Sequence, residues 1–464
     1  MGARQTELEV ASAFRERGAR LLQDGRYREA EAVLRRAVTR REKAGGPAHV
    51  GLVKPLLDLA DCYKHLGRFV DSGLLYQRAL RIAARARRGD HPDLASIYAG
   101  LGSLEYAAGN WLRGEPFARK ALRLRRQVLG RRHPLVAGDL TALGALLDRL
   151  GRHDEAAGLH QRALSILERE CGRDDPSVAI VLGHLAAAPA AARLPDVAAT
   201  LARRALDIQL AAFAPGHPEV GRAWGRLAAA TARGRWPGKA VPMFRRALRI
   251  LRATLGPDHP DVGVCWEQYS RALARVRRGA AAHAAARTSA RIRDKIDAVN
   301  DEGVAVTGTV NPDDASFDLV TRRSPIHRLG VFAGEPIPAN RKVIEYTGER
   351  IPAMEGARRW DPARSYLFQL TRRWWLDGAI GGSGAEYINH SCEPNINARI
   401  LRGHILYFSN RPIEKGEELT VDYQYAHDTD EIRCHCGAAK CRGLMNLSRE
   451  EARARRARRL RGRG

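Results

Sequence analysis

The sequence predicts a multidomain chain, an α-helical solenoid followed by a compact β-rich domain. Three observations carry that prediction. A 42-residue period runs through the first 270 residues, short apolar runs replace it after Phe317, and four of the seven cysteines gather in the last third of the 464 residues.

The period is written by three markers. Ala37, Ala79, Ala121, Ala163, Ala205 and Ala247 each follow a basic residue and precede Leu or Val. Gly25, Gly67, Gly109 and Gly151 keep the same step, as do Pro92, Pro134, Pro176, Pro218 and Pro260. Three markers on one period signal a repeat architecture. In residues 93–130, Leu94, Ile97, Tyr98, Leu101 and Leu104 fall at helical spacing, "AGN" breaks the chain at 108–110, and Ala118, Ala121, Leu122 and Leu124 mark a second stripe. "GDHPDL" opens the unit, with Asp90 as the expected cap and Pro92 in the first turn. One such hairpin cannot cover its own apolar face, but stacked neighbours can, which gives a solenoid with a concave surface.

This pattern resembles tetratricopeptide repeats in the longer form of kinesin light chains, over about residues 15–270. The resemblance implies a scaffold that binds a peptide or protein ligand. The fifth unit, "RLPDVAATLARRAL", lacks the turn glycine. We assign residues 1–279 to the array, about six units, and 280–316 to a capping helix and a linker rich in Gly, Pro, Asn and Asp.

The formal charge of +26 comes mostly from Arg spread along the chain, which describes solvated helix faces. Residues 449–464, "REEARARRARRLRGRG", are more pointed, with eight Arg against two Glu. The basic tail, 447–464, has the composition of a segment that contacts nucleic acid or another acidic surface. No run of about 18 apolar residues would span a membrane. The first residues, "MGARQTELEVASAFRERGAR", lack an apolar signal core. A cytoplasmic setting with reduced thiols follows, with association to the nucleus or nucleoid through the basic charge. Cys62, Cys171 and Cys265 stand alone in helical patterns and are expected to be buried.

After Phe317, "GVFAGEPIP", "KVIEYTGERI", "RSYLFQL", "RWWLDG", "GHILYFSNRPI" and "ELTVDYQY" are strand-like runs broken by Gly, Pro, Asn and Asp. Among them, "EYINHSCEPN" (386–395) suits a metal site, a nucleophile with its base, or a polar loop. In order along the chain stand "SPIHRLGVFA" (324–333), "IEYTGE" (344–349), "SYLFQL" (365–370), "NHSCEPN" (389–395), "GEELTVDYQY" (416–425) and "CHCGAAKC" (434–441). This succession resembles SET-domain protein-lysine methyltransferases with a zinc-binding post-SET segment. We assign 317–426 to the SET domain and 427–446 to the post-SET zinc segment.

The resemblance implies a pseudoknot in which the NHSC and ELTVDY segments cross to form the active site. Asn389 and His390 would hold S-adenosyl-L-methionine, with His327, Arg328 and Leu329 meeting its methionine end and His435 also in contact. Tyr423 would be the catalytic tyrosine, and Tyr366 would flank both cofactor and lysine channel. Cys392 would be the fourth zinc ligand beside Cys434, Cys436 and Cys441, and a tetrahedral structural site needs four. Methyl transfer needs a neutral lysine amine. Deprotonating a free lysine at pH 7 costs roughly 4–5 kcal/mol, which a dry aromatic channel and the adjacent sulfonium charge reduce.

The sequence departs from the family at three places. Arg328 replaces the usual Gly after His, Val421 stands where Phe or Tyr is common, and Glu386 stands where Arg is common. The smaller Val421 leaves room for more than one methyl. No cysteine-rich segment precedes the domain. The implied function is S-adenosyl-L-methionine-dependent methylation of a lysine on a histone or other basic protein. The competing readings are a repeat-based scaffold with an inactive SET fold, and a basic nucleic-acid binder.

Overall fold

The structure is a computed structural model that describes residues 2–86, 93–188, 194–302, 310, 314–326, 329–360, 366–378, 382–425 and 431–453. The chain divides into two compact units, residues 1–300 and 301–464.

The first unit is a run of helical hairpins. Helices pair as Gly2–Gln23 with Tyr27–Gly45, Val53–His65 with Phe69–Ala86, Leu94–Ala107 with Trp111–Leu129, and Pro134–Arg149 with His153–Glu170. Pro176–Ala187 with Pro195–Ala212, Pro218–Arg233 with Ala240–Leu255, and Pro260–Arg275 with Gly279–Glu302 follow. The periodic alanines sit where two helices cross: Ala37, Ala79, Ala121, Ala163 and Ala247 are all 0% exposed. Gly25, Gly67, Gly109 and Gly151 have φ of 71–81°, the left-handed turn that a side chain disfavours. The last helix packs Ala282, Ala285 and Ile292 against Cys265, Tyr269 and Leu273.

Two expectations need correction or limits. Cys171 is exposed, because it is the residue that ends helix His153–Glu170, whereas Cys62 and Cys265 are buried. Asp90 and Pro92 lie outside the described residues. In four of the described units the capping side chain is the residue directly before proline. His133, His217 and His259 each accept from the N–H two residues on at 3.1 Å, and Asp175 does so at 2.8 Å. A residue before proline is held extended, which is the conformation a cap needs.

These caps also close a seam. His217 and His259 spend Nδ1 as acceptors, so Nε2 carries the proton. It donates to the carbonyl of Gln23 at 3.0 Å and of His65 at 2.8 Å respectively. Beside them Tyr27 stacks on His65 at 4.6 Å, and Arg222 bridges Glu219 and Asp261. Turns of the first two hairpins therefore meet the openings of the sixth and seventh.

The second unit holds ten short strands among its described residues: β1 (Leu319–Arg323), β2 (Leu329–Ala333), β3 (Lys342–Tyr346), β4 (Glu349–Pro352), β5 (Leu367–Gln369), β6 (Trp374–Asp377), β7 (Asn389–His390), β8 (Ile396–Leu401), β9 (His404–Ser409) and β10 (Glu418–Val421). They form three sheets, ordered β1-β2-β10-β7, β3-β9-β8 and β4-β6-β5. In β9, Ile405, Tyr407 and Ser409 turn inward with the two-residue period of a strand. Arg402 and Gly403, with φ of 49° and 85°, make the tight turn that joins β8 to β9. Val331, Ile344, Ile396, Ile405 and Leu419 form the fully buried centre.

Candidate active site

The two segments singled out in the sequence meet side by side. β7 pairs with β10 in parallel, Asn389 opposite Thr420 and His390 opposite Val421, and Ser391 N–H adds a bond to the Val421 carbonyl at 3.0 Å. So short a ladder cannot hold two irregular segments, and side chains supply the rest. Asn395 is 2% exposed. Its Nδ2 donates to the Glu418 carbonyl at 2.8 Å and the Glu417 carboxylate at 3.0 Å, and its Oδ1 accepts from Thr420 N–H at 2.8 Å. Glu418 takes the Asn389 amide on Oε1 at 2.8 Å and the Ser324 hydroxyl on Oε2 at 2.9 Å. It thereby ties the end of β1 to β7.

His390 is buried. Its Nδ1 accepts from Tyr423 N–H at 3.1 Å, and its Nε2 lies 3.4 Å from Cys392 Sγ. Burial drives its pKa down to about 4, so the ring is neutral and can accept. The Tyr423 hydroxyl donates to the Ile388 carbonyl at 3.0 Å. Although 37% of Tyr423 remains exposed, burial of its hydroxyl raises the phenol well above its ordinary value of 10. It stays protonated at neutral pH. Rings surround it: Tyr425 at 5.7 Å edge-on and His390 at 5.5 Å, with Trp360 edge-on to Tyr425. A second cluster sets Tyr366 edge-on to Tyr387 at 6.0 Å and Tyr346 against Phe368 and Tyr407. The Tyr346 hydroxyl is bonded to the Tyr366 carbonyl.

Cys392, Cys434, Cys436 and Cys441 place their four Sγ atoms within 4.8 Å of one another. Cys392 Sγ lies 3.7 Å from Cys434 Sγ and 3.9 Å from Cys441 Sγ. A tetrahedral zinc with bonds of about 2.3 Å would set such edges at about 3.8 Å, so the set fits. Backbone N–H groups point at the sulfurs: Cys392 to Cys436 at 3.5 Å, Arg442 to Cys392 at 3.4 Å and Gly443 to Cys441 at 3.4 Å. Burial pushes the Cys436 thiol up, but the Cys392 and Ala438 N–H groups and the neighbouring Cys434 and Cys441 thiols bring it down to about 6, in the range of the thiolate that metals take.

Asn389, His390, Tyr423 and the four cysteines therefore come together, and Tyr366 lies in the neighbouring aromatic group. His435 is exposed between two of the cysteines. His327 and Arg328 lie outside the described residues, and Leu329 opens β2. Glu386 accepts from Gly384 N–H at 2.8 Å, and Val421 is buried in the core. Sequence reasoning passed over Asn395, Glu418, Asp422 and Arg442. Each is a polar residue inside a quoted motif or next to one, and its partner lies far along the chain.

A family model described as "SET domain" matches residues 328–424. Models described as "Tetratricopeptide repeat" match 9–85, 55–112, 93–169 and 140–211, and also 228–261. The chain is 43% identical over 133 residues to "Histone-lysine N-methyltransferase, H3 lysine-4 specific" of Schizosaccharomyces pombe, covering 26% of this chain and 14% of that one. It is 37% identical over 146 residues to "Histone-lysine N-methyltransferase ATX2" of Arabidopsis thaliana, covering 29% and 14%. A solved structure, "crystal structure of KRYPTONITE in complex with mCHG DNA and SAH", is 30% identical over 28% of this chain and 29% of that one, with a TM-score of 0.25. The chain thus spans about a seventh of the length of these two curated relatives. On these matches the chain carries an array of tetratricopeptide repeats followed by a SET domain, with a cysteine cluster that fits a post-SET zinc site.

Proposed function

We propose that the chain is a protein-lysine N-methyltransferase that uses S-adenosyl-L-methionine and recruits its substrate through the repeat array. The observation that carries this reading is the protonated, inward-turned Tyr423 hydroxyl beside the Asn389–Cys392 segment. In this proposal Asn389, oriented by Glu418, and the main chain of His390 hold the cofactor, because both His390 ring nitrogens are engaged within the protein. His327, Arg328, Leu329 and His435 complete its contacts. When bound, the cofactor supplies an electrophilic methyl on a sulfonium.

The protein's own part is positioning and water exclusion. The Tyr423 hydroxyl donates its hydrogen bond to the Ile388 carbonyl, which leaves oxygen lone pairs to accept an N–H of the incoming amine and aim its nitrogen. Tyr366, Tyr387 and Tyr425 are the aromatic groups proposed to wall a lysine channel, where low polarity favours the neutral amine and ring faces tolerate the cation. Val421 leaves space for an amine already methylated. Four thiolates would hold Zn2+ and thereby fold residues 434–441 against Cys392. The substrate is a lysine on a histone or another basic protein, met in the cytoplasm or on nucleic acid. No helix among the described residues is long and apolar enough to cross a membrane.

The test is transfer of labelled methyl from the cofactor into histones, other basic proteins and fractionated lysate. Tyr423→Phe lowers transfer about 100-fold or more and leaves cofactor affinity by calorimetry nearly unchanged. Failure of the zinc-loaded protein to bind S-adenosyl-L-methionine would overturn the reading and leave a binding scaffold with an inactive SET fold.

A further inference from the structure

Arg442 follows the last cysteine of the cluster and reaches away from it. Its N–H donates to Cys392 Sγ at 3.4 Å. Its guanidinium grips Asp422 with two parallel bonds, NH2 to Oδ1 at 2.9 Å and NH1 to Oδ2 at 3.1 Å. This fork-on-carboxylate geometry fixes both distance and orientation. The Asp422 side chain is 5% exposed and that of Arg442 is 18% exposed. The other partner of Arg442 is Glu451, at 3.4 Å.

Asp422 is the residue before Tyr423. The same Oδ1 also accepts from Gln424 N–H at 3.2 Å and lies 3.6 Å from His390 Nδ1. Gln424 has φ of +57°, a left-handed conformation that a non-glycine residue disfavours. Something must hold that turn, and the carboxylate clasped by Arg442 is placed to do it. Tyr423 therefore sits between a clamped residue and a strained one, with its own N–H fixed on His390. The path runs from the sulfur cluster through Arg442 and Asp422 to the backbone of the tyrosine.

We propose that Arg442 is a positioning residue that sets the Tyr423 hydroxyl by clamping Asp422, so that an ordered cysteine lid and a correctly aimed phenol are one condition. This rests on the proposed methyl transfer for its kinetic readout but not for its structural one. The experiment uses the full zinc-loaded chain with 3-fluorotyrosine at position 423. In Arg442→Gln the four thiols remain, so the zinc content per chain is expected to match the parent. The 19F resonance at 423 shifts or broadens, and kcat falls between about 10- and 100-fold with KM for the protein substrate little changed. Arg442→Lys, which keeps charge but not the fork, falls between the two. Glu451→Gln, which removes the outer partner, matches the parent. An unchanged 19F resonance in a zinc-replete Arg442→Gln overturns the proposal. So does loss of zinc in step with loss of rate, because Arg442 would then serve the cluster alone. A parent that transfers no methyl defeats the proposed function, while the 19F comparison still decides this one.

Discussion

Ala163 and Asn395 are both buried, at 0% and 2% exposure, yet they are held in unlike ways. Ala163 is one of six equivalent residues, each at the same crossing of two helices, and its neighbours in sequence are its neighbours in space. Asn395 has no equivalent. It joins residues more than twenty positions away through three hydrogen bonds that only its own amide can make. The array spreads its stability over many like contacts, as stacked repeats do. The SET unit concentrates its geometry in a few polar residues that must all be present together. A change in the first should weaken it by degrees. A change in the second should remove a function.

The sharpest way to break this contrast is to remove the metal. Zinc chelation, or Cys434→Ser, should abolish methyl transfer and make residues 431–447 sensitive to protease, while the helical signal in circular dichroism stays as in the parent. A loss of helix in parallel would mean that the array depends on the sulfur cluster. Next comes Asn395→Ala, which strands buried partners on β10. It should destabilise the SET unit by about 3 kcal/mol in urea unfolding and leave the unfolding of the array unmoved. Smaller effects are expected among the caps. His133→Ala should cost about 1 kcal/mol. His217→Ala should cost about twice that, because its second ring nitrogen also holds the Gln23 carbonyl. Equal losses would show that the seam adds nothing. A pH dependence of the array is also expected. Burial, with the nearby Lys64 and Arg222 charges, lowers the His65 pKa from 6.5 to about 4. The unfolded chain therefore binds the proton first as pH falls. The stabilisation is complete above pH 6.5 and is lost as pH drops toward about 4. Each kcal/mol lost lowers the array's Tm by roughly 2–4 °C, and His65→Phe should flatten that slope.

The same contrast explains what was legible in the sequence. Periodic alanines, glycines and prolines announced the array because the repeats say the same thing several times. The cap expected at Asp90 lies outside the described residues, and the caps at His133, His217 and His259 were not singled out because aspartate is the commoner cap. What marks them is the extended backbone before proline, which all three share. The seam was invisible, since Gln23 and His217 are 194 residues apart and that distance is no multiple of the period. In the SET unit the cysteines could be counted and their partner named, and their sulfurs do lie together. β8 escaped notice because "INARIL" interrupts its apolar residues with Asn and Arg. Asn395, Glu418, Asp422 and Arg442 were passed over for a different reason. A lone polar residue carries no period, and its meaning lies in a partner that only folding supplies.

The joined rims of the repeat array have an evolutionary corollary. An open solenoid can gain or lose one module and keep every remaining junction. A ribbon whose first two turns are fastened to its sixth and seventh openings cannot. Deleting a single 42-residue module would bring mismatched rims face to face and unseat both imidazole fastenings at once. Such a seam constrains the number of modules more tightly than their composition.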